Sequence, residues 1–363
     1  MADVVEAVPV PLLLERLRAA LDGTGPAVLP VAAGAVVEPT PLDGWERDAA
    51  LVIATSGSSG TPKSVLLSAA ALRASAEATH ARLGGAGRWL LALPATHIAG
   101  VQVLVRSLVA GTTPVVLDLA PGFRASTFLD AARRLLATPG PHYTALVPTQ
   151  LARLLADGVD VLRSFDGVLL GGAATPLPLL EEARAAGVRV VTTYGMSETS
   201  GGCVYDGLPL DGVRLRLARG RIELAGPTLA LGYRGERFTG PWFRTGDLGQ
   251  FRPDGTLEVL GRADDMIVTG GEKVPPVLVE RAMAAVSGVR EVCVVGVPDA
   301  EWGQVVAAAV VTTGEAPTEE TLRAAVRESV GRTAVPKRLL FLKELPTRGP
   351  GKVDRAAVAR SFG

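Results

Sequence analysis

Short apolar runs alternate with longer amphipathic segments between residues 50 and 194 of the chain. The runs have the length and composition of buried strands, and the segments between them are long enough to form helices. This alternation is typical of an α/β fold in which helices cover a largely parallel sheet. The strand-like runs are residues 51–54, 89–93, 114–117, 143–147, 167–170 and 189–193. Because ligands of such sheets bind at the carboxyl ends of the strands, we expect functional residues in the loops that begin at Thr55, Pro94, Pro148, Gly171 and Tyr194.

The pattern changes twice after residue 201. Residues 201–263 contain short β runs separated by turn signals, which predicts a small antiparallel, barrel-like part. From residue 264 onward the predicted elements are a helix at 276–286, strands at 290–297 and 304–312, a helix at 318–330, a strand at 338–342 and a last helix from 353. We therefore predict an N-terminal domain of residues 1–263 and a smaller α+β domain of residues 264–363.

Composition excludes several classes of partner. Acidic and basic residues are equally frequent, 37 of each, so the chain has no net field that would attract nucleic acid or an anionic membrane. No apolar stretch approaches the roughly 20 residues of a membrane span, and the first residues lack the pattern of a signal peptide. Two distant cysteines and three histidines form no metal-ligand spacing. We expect a cytoplasmic protein that acts on small molecules.

A loop rich in hydroxyl groups follows the first strand-like run. Glycines let backbone N–H groups turn toward an anion, hydroxyls donate further hydrogen bonds, and a lysine supplies positive charge, so this composition favours phosphate binding. The alternative is an ordinary flexible polar loop. The candidate phosphate-binding residues are Thr55, Ser56, Gly57, Ser58, Ser59, Gly60, Thr61 and Lys63.

The loop differs from a Walker A motif, in which the lysine directly follows a glycine and opens a helix. Here Pro62 precedes Lys63, and residues 65–67 predict a second strand before Ser68 caps a helix. A Ser/Thr/Gly-rich loop that closes in Pro-Lys resembles the signature of the adenylate-forming family, which contains acyl-CoA synthetases, luciferases and adenylation domains. The resemblance covers residues 50–363 and implies a large N-terminal domain with a small mobile lid.

Two further strings resemble the walls of this family's adenine slot. Residues 192–199 read Thr-Thr-Tyr-Gly-Met-Ser-Glu-Thr, and residues 171–176 read Gly-Gly-Ala-Ala-Thr-Pro. By themselves both strings could be ordinary turns. The resemblance implies nucleotide contacts for Gly171, Gly172, Ala173, Tyr194, Gly195 and Ser197, and it assigns Glu198 to Mg²⁺.

The string Phe-Arg-Thr-Gly-Asp-Leu-Gly at 243–249 is the most recognisable part of the resemblance. It implies that Asp247 accepts hydrogen bonds from the ribose hydroxyls; the alternative is a surface turn. In the next string the resemblance assigns Arg262 to the nucleotide and Asp264 to the hinge between domains. The pair Gly270-Gly271 is implied to approach the pantetheine arm of coenzyme A.

Lys352 lies on a Gly-rich segment before the last predicted helix. A lone lysine of this kind is usually only a solubilising charge. The resemblance implies instead that it enters the site and bridges the carboxylate and the α-phosphate. ATP, Mg²⁺ and coenzyme A are the implied cofactors and co-substrates, and a carboxylic acid is the substrate.

The segment 94–100 resembles the family's acid pocket, with His97 beside the carboxylate. Arg106 lies nine residues further on in an otherwise apolar helix, 101–108. It either meets a second negative group on the substrate or extends to the surface, and His97 could equally be a core histidine. A basic residue at this spacing resembles the o-succinylbenzoate-CoA ligases of menaquinone biosynthesis, and the short chain resembles the actinobacterial members of that group. The expected substrate is therefore an aromatic acid with two carboxylates.

Two other functions are compatible with these strings: another aryl- or acyl-CoA ligase, and a nucleotide-binding relic without activity. Adenylation of a carrier protein is disfavoured, because no carrier segment follows residue 363. Fewer residues precede the hydroxyl loop than in most relatives, so we expect a shortened N-terminal part. The resemblance is also compatible with a homodimer.

Overall fold

The structure, a computed structural model, describes residues 4–32, 40–55, 63–347 and 353–363. The chain divides into two compact units. The first comprises Met1–Gly172, Ala183–Arg216 and Glu223–Phe243, and the second comprises Ala173–Glu182, Leu217–Ile222 and Arg244–Gly363. This division reflects the contacts within each unit. The boundary at residue 264 was predicted for a domain that moves as a whole, and it stays a prediction.

The elements alternate much as the sequence predicts, with ends shifted by a few residues. Up to Gly172 they are β1 (Val4–Pro9), α1 (Val10–Leu21), β2 (Ala27–Val31), β3 (Thr40–Pro41), a 3₁₀ turn (Gly44–Asp48), β4 (Ala49–Thr55), β5 (Lys63–Ser68), α2 (Ala69–Leu83), β6 (Arg88–Leu91), α3 (Ile98–Val109), β7 (Val115–Val116), α4 (Ala125–Leu136), β8 (His142–Leu146), α5 (Pro148–Arg163) and β9 (Gly167–Leu170). The later elements are α6 (Leu177–Ala185), β10 (Val190–Met196), a 3₁₀ turn (Ser197–Thr199), β11 (Gly201–Tyr205), β12 (Leu208–Pro209), β13 (Arg214–Ala218), β14 (Arg221–Ala225), β15 (Gly232–Tyr233), β16 (Glu236–Arg237), β17 (Phe243–Phe251), β18 (Leu257–Arg262), β19 (Ile267–Thr269), β20 (Glu272–Val274), α7 (Pro276–Ala284), β21 (Val289–Asp299), β22 (Gly303–Thr312), α8 (Glu319–Ser329), a 3₁₀ turn (Arg332–Ala334), β23 (Arg338–Phe341) and α9 (Arg355–Arg360).

Five of the six strand-like runs of the alternating segment form one parallel sheet in the first unit. Its order is β12-β11-β10-β9-β8-β6-β7, and the strands from β10 to β7 are all parallel. Strands β8 and β9 are buried along their whole length, as expected for strands covered on both faces. Their carboxyl ends lie at one edge of the sheet, where β9 leads to Gly171 and β10 leads to Glu198. The first two β runs after Gly201, β11 and β12, extend this sheet as antiparallel strands, whereas β13, β14, β17 and β18 form a separate four-stranded sheet.

The sixth run, β4, lies in a second sheet of order β16-β15-β5-β4-β2-β1-β3. The strand-like runs therefore divide between two sheets, which fits the expected mostly parallel, helix-covered architecture. Strand β5 follows β4 closely in the chain and pairs with it antiparallel, and β2 occupies the other edge of β4 in parallel. The Pro/Gly-rich segment around β2 has little periodicity, so the sequence pattern does not reveal this neighbour.

Helix α2 begins where the sequence predicts. The Ser68 hydroxyl accepts a hydrogen bond from the Ala71 N–H at 3.1 Å, which confirms Ser68 as the N-cap. The helix ends at Gly84, whose φ of 93° is the left-handed conformation typical of a helix C-terminus. The cap fixes the angle at which the chain leaves β5, the strand that begins with Lys63.

In the second unit, the long hairpin of β21 and β22 carries the core on both faces. Val294, Val306 and Val310 face α7 and α8 and pack with Met283 and Leu322. The alternate residues, which include Val295, Ala307 and Ala309, pack with Leu345 and with Val358 of α9. Period-2 alternation therefore places apolar residues on both faces, and each face is covered.

Within the described ranges, no helix combines the length and the apolar character that crossing a membrane requires.

Candidate active site

The hydroxyl loop connects two strands that pair with each other. Thr55 at the end of β4 lies opposite Lys63 at the start of β5, and the Thr55 hydroxyl donates to the Lys63 carbonyl at 3.1 Å. The strand predicted after the loop is thereby confirmed. The remaining predicted residues of the loop, Ser56, Gly57, Ser58, Ser59, Gly60 and Thr61, lie outside the described residues.

The Lys63 ammonium lies over an aromatic ring that the sequence did not single out. Its Nζ is 4.3 Å from the ring centroid of Tyr233, within the range of a cation–π interaction. Strand β15 pairs with β5 so that Tyr233 lies opposite Val65. Lys63 is two residues before Val65 and is therefore a diagonal neighbour of Tyr233 on the same face of the sheet.

Glu198 lies in the 3₁₀ turn that follows β10, at the carboxyl end of the parallel sheet. Its Oε1 accepts a hydrogen bond of 2.7 Å from the Tyr233 hydroxyl. The Thr199 hydroxyl braces the turn by accepting from the Met196 N–H at 3.0 Å. Next comes Ser200, buried and at a φ of 54°, whose hydroxyl donates to the Thr228 carbonyl. Lys63 and Glu198, which are far apart in the sequence, thus meet at one tyrosine.

The predicted adenine walls lie at neighbouring strand ends. Gly171 follows β9, and a Cβ added to it would lie 2.2 Å from the Thr193 hydroxyl oxygen of β10. A Cβ on Gly195 would lie 2.1 Å from the Gly201 carbonyl oxygen. Both positions therefore require glycine because neighbouring backbone or side-chain atoms are so close.

The other predicted adenine contacts vary in exposure. Gly172 has a left-handed φ of 81° and is exposed. Tyr194 and Ser197 are half-buried. Ala173 is exposed and belongs to the second unit.

His97 and Arg106 have different environments although they belong to one segment. His97 is the exposed N-cap residue of α3, so it is not a core histidine. Arg106 is only 3% exposed, which excludes a surface arginine. Its guanidinium lies 5.0 Å from the Trp89 ring centroid, and its Nη2 donates to the Tyr205 hydroxyl at 3.3 Å.

The surroundings of Arg106 contain several polar atoms that lack hydrogen bonds. Burial lowers the pKa of Arg106, and nearby Tyr205 acts in the opposite direction. Among the described residues, no hydrogen-bond partner is found for the Arg106 Nε, for either polar atom of the Gln102 amide, or for the His80 Nε2. A buried guanidinium without a carboxylate is costly, so this environment suits an additional acceptor.

In the second unit, Asp247, Arg262 and Asp264 lie close together. Strands β17 and β18 pair so that Asp247 is opposite Arg262, and their side chains approach to 3.9 Å. The Arg262 guanidinium also donates twice to the Asp264 carboxylate. These hydrogen bonds raise the pKa of Arg262 and lower the pKa of Asp264. A Cβ at Gly246 would lie 2.5 Å from the Arg262 Cζ, so the glycine makes room for the guanidinium.

The pair Gly270-Gly271 forms the two-residue turn between β19 and β20. Both residues have left-handed φ values, 56° and 84°, which is the conformation that such hairpin turns demand. The Gly270 N–H donates to the Trp302 carbonyl, and a Cβ on Gly270 would lie 2.7 Å from the indole ring.

Lys352 lies outside the described residues. On either side of its segment, Thr347 and Val353 form an antiparallel bridge. Arg355 then opens α9 and pairs through two hydrogen bonds with Glu280 of α7, at 2.6 and 3.0 Å.

Sequence reasoning missed Tyr233 and Tyr205. Tyr233 belongs to a strand of two residues, which has no measurable periodicity. Tyr205 ends β11 in a run of apolar residues and reads as part of the core. The contacts of both residues depend on strand register, which composition does not reveal.

Comparison with protein families gives two matches. The family of AMP-binding enzymes matches residues 7–233. The C-terminal domain of AMP-binding enzymes matches residues 278–352. Together the matches include most of the candidate site.

Individual relatives are similar over nearly the whole chain. A protein of Mycobacterium tuberculosis named probable 2-succinylbenzoate-CoA ligase is 50% identical, covering 97% of this chain and 95% of the relative. The o-succinylbenzoate CoA synthetase of Bacillus subtilis, solved with the acyl-adenylate intermediate OSB-AMP, has a TM-score of 0.76 at 28% identity, covering 95% of this chain and 80% of that one. The same enzyme solved with ATP and a magnesium ion gives 0.74 at 28% identity, covering 94% and 81%.

Proposed function

The chain belongs to the family of AMP-binding enzymes, and we infer that it is an ATP-dependent ligase for o-succinylbenzoate, also called 2-succinylbenzoate. It adenylates the acid and transfers the acyl group to coenzyme A, which yields o-succinylbenzoyl-CoA, AMP and pyrophosphate. The observation that carries this inference is the 50% identity to the mycobacterial ligase over almost the full length of both chains.

The reaction starts from a carboxylate, which is a poor electrophile and needs a leaving group. Its oxygen attacks the α-phosphorus of ATP, the bond to the bridging oxygen breaks, and pyrophosphate leaves. Lys63, with the hydroxyl loop, holds the departing phosphates in this proposal. Lys352 neutralises charge on the α-phosphate, so catalysis rests on positioning and electrostatic stabilisation.

Mg²⁺ is the metal that ATP requires here, and the donor set fits it. In the described part of the chain, no group of three or more His, Cys, Asp or Glu side chains could hold a metal ion alone. Nucleotide-bound Mg²⁺ takes one or two protein carboxylates and completes its shell with phosphate oxygens and water. Glu198 supplies such a carboxylate, and one of its two oxygens is already oriented by Tyr233. The ion would neutralise phosphate charge when bound.

We assign the binding of the acid to residues of helix α3 and of its N-cap. His97 is exposed at the N-terminus of this helix, where a carboxylate can reach it. Arg106 is deeply buried and lacks an acidic partner among the described residues. A second carboxylate on the substrate would provide that partner, which supports a dicarboxylic acid over a simple benzoate.

The thioester step uses the second part of the chain. In this proposal the domain of residues 264–363 turns about Asp264, so that Lys352 leaves and the Gly270-Gly271 turn approaches the pantetheine arm. The two free cysteines are buried and fit a reducing compartment, which supports a cytoplasmic location. Formation of a homodimer stays a prediction.

A substrate panel tests the proposal. Pyrophosphate release is measured for o-succinylbenzoate, benzoate and aliphatic acids, with coenzyme A as acceptor. We expect kcat/KM to be highest for o-succinylbenzoate. Equal activity on benzoate would favour a general aryl-CoA ligase, and no activity on any acid would favour a nucleotide-binding relic.

An arginine variant tests the position of the second carboxylate. Arg106→Gln should raise KM for o-succinylbenzoate about tenfold or more, because it removes a charge-assisted hydrogen bond, and should leave KM for benzoate nearly unchanged. Arg134→Gln, on the exposed face of α4, is the matched control. Equal effects on KM for both acids would show that Arg106 does not contact the second carboxylate.

A further inference from the structure

The Tyr233 side chain contacts both Lys63 and Glu198. Its ring faces the Lys63 ammonium at 4.3 Å, and its hydroxyl donates to the Glu198 Oε1 at 2.7 Å. The proposed function gives these two partners different tasks, one at the departing phosphates and one at the metal. A single side chain therefore connects the two charged groups on which ATP binding depends.

The hydroxyl contact restricts Glu198. The phenol donates to Oε1 and takes one of the roughly four lone-pair positions of the carboxylate, so Oε2 can face a cation. The main chain of Glu198 is fixed as well, because its carbonyl accepts from the Ala230 N–H at 2.9 Å. With backbone and carboxylate both held, little conformational entropy remains to be lost when a metal binds.

Tyr233 is itself firmly placed. Phe238 packs edge-on against its ring, with centroids 5.1 Å apart and an interplanar angle of 86°. A Cβ on neighbouring Gly232 would lie 2.3 Å from the Glu236 carbonyl oxygen, so the turn between β15 and β16 is closely packed. The pairing of β15 with β5 sets the ring beside Lys63. These contacts make Tyr233 a rigid support for two flexible charged side chains.

We propose that Tyr233 is a positioning residue that orients Glu198 for the nucleotide-bound metal ion and holds Lys63 on the same side for the phosphates. This inference rests on the proposed function. In this proposal the hydroxyl acts on metal binding through Glu198, and the ring acts on phosphate binding through Lys63. Two substitutions therefore separate the two contributions. Tyr233→Phe removes only the hydroxyl, whereas Tyr233→Leu also removes the ring.

The experiment measures ATP affinity by calorimetry at a series of Mg²⁺ concentrations, with the full chain and without any acid. Tyr233→Phe should require about tenfold more Mg²⁺ to reach the same ATP affinity, because a hydrogen bond to a charged group is lost. Tyr233→Leu should in addition bind ATP about threefold more weakly at saturating Mg²⁺, because the cation–π contact is lost. In a Glu198→Gln background, Tyr233→Phe should change the Mg²⁺ requirement no further.

A matched control separates positioning from simple destabilisation. Tyr143→Phe removes a buried hydroxyl that donates to main-chain carbonyls of the first unit, at Leu83 and Gly85. It should lower the thermal midpoint at least as much as Tyr233→Phe and leave the Mg²⁺ requirement unchanged.

The outcomes distinguish the inference from the function on which it rests. If the wild-type chain binds ATP with Mg²⁺ and Tyr233→Phe has the same Mg²⁺ requirement, the positioning role is overturned and the function stands. The role is also overturned if Tyr233→Phe still raises the Mg²⁺ requirement in the Glu198→Gln background. If the wild-type chain does not bind ATP at any Mg²⁺ concentration, both are overturned.

Discussion

The guanidinium of Arg262 makes two parallel hydrogen bonds with the carboxylate of Asp264, at 2.9 and 3.0 Å. The sequence resemblance assigns these residues to different tasks, nucleotide contact and domain hinge. Asp247, the predicted ribose acceptor, lies farther from the same guanidinium, at 3.9 Å. If a nucleotide binds Arg262 as proposed, it competes with Asp264 for the donors of the guanidinium.

Asp264→Asn weakens this competition. We expect KM for ATP to fall about two- to fivefold, the range that corresponds to one exposed ion pair. The free energy of unfolding should change by less than about 1 kcal/mol, because the two side chains are 41% and 54% exposed. Saturation curves for pyrophosphate release and urea unfolding measure the two quantities.

The control for this substitution is Asp254→Asn, in the turn between β17 and β18, where the carboxylate accepts from the N–H and the hydroxyl of Thr256. It removes the same charge from the hairpin that ends at Arg262 and should leave KM for ATP unchanged. A rise in KM for Asp264→Asn would show that the pair with Arg262 assists nucleotide binding.

The burial of His80 predicts that the free energy of unfolding falls at acidic pH. Its side chain is buried near the Trp89 ring, and burial, with a smaller contribution from Arg106, lowers its pKa from 6.5 to about 4. The unfolded chain then takes up a proton below pH 6.5 that the folded chain does not, so stability falls between pH 6.5 and 4 and the contribution is complete above pH 6.5. The upper limit of the effect is about 3 kcal/mol.

His80→Leu tests this prediction, because it removes the titrating group and keeps an apolar side chain in the site. The free energy of unfolding, measured in urea from pH 4 to 8, should fall less steeply for the variant than for the wild type. Equal slopes in this range would assign the acid sensitivity to carboxylates.

The sequence pattern predicts much of the fold because local signals decide it. Ser68 caps a helix through its own hydroxyl, and the runs at 143–147 and 167–170 are mostly apolar, as expected of strands buried on both faces. The sheet that contains β4 was not foreseen, because its neighbour β2 lies in a segment without periodicity.

The candidate site is predicted less completely, because its contacts depend on pairing between distant strands. Sequence motifs identify Lys63 and Glu198 separately, but only the register of β15 against β5 shows that Tyr233 connects them. The pattern shows that Arg106 lies in an apolar helix. It does not show that Trp89 of β6 and Tyr205 of β11 contact the guanidinium.

Arg355 anchors the last helix, three residues beyond Lys352. It makes two hydrogen bonds to Glu280 and one to the Val294 carbonyl. Although burial alone would lower the pKa of Arg355, the Glu280 carboxylate raises it. Arg355→Gln should reduce the free energy of unfolding of this unit by about 1–2 kcal/mol, less than for a fully buried pair because the arginine is 35% exposed.

A double-mutant cycle with Glu280→Gln measures the coupling of this pair by denaturant unfolding. Residues in direct contact through charged hydrogen bonds should deviate from additivity by more than about 0.5 kcal/mol. Additive effects would show that the helix is held by Val358 and its apolar neighbours alone.

Lys352 should act in one half of the reaction only. In the proposed mechanism its ammonium neutralises charge that develops on the α-phosphate, and loss of such a group lowers the rate on the order of 10²- to 10³-fold. Lys352→Ala should therefore nearly abolish formation of the acyl-adenylate from o-succinylbenzoate and ATP. Thiolysis of supplied acyl-adenylate by coenzyme A should remain largely intact, because the lysine leaves the site before that step. Lys343→Ala, an exposed lysine in the same unit, is the control and should leave both half-reactions unchanged. An equal loss of both half-reactions in Lys352→Ala would contradict the assigned role, since it would mean that the lysine serves the fold or both steps alike.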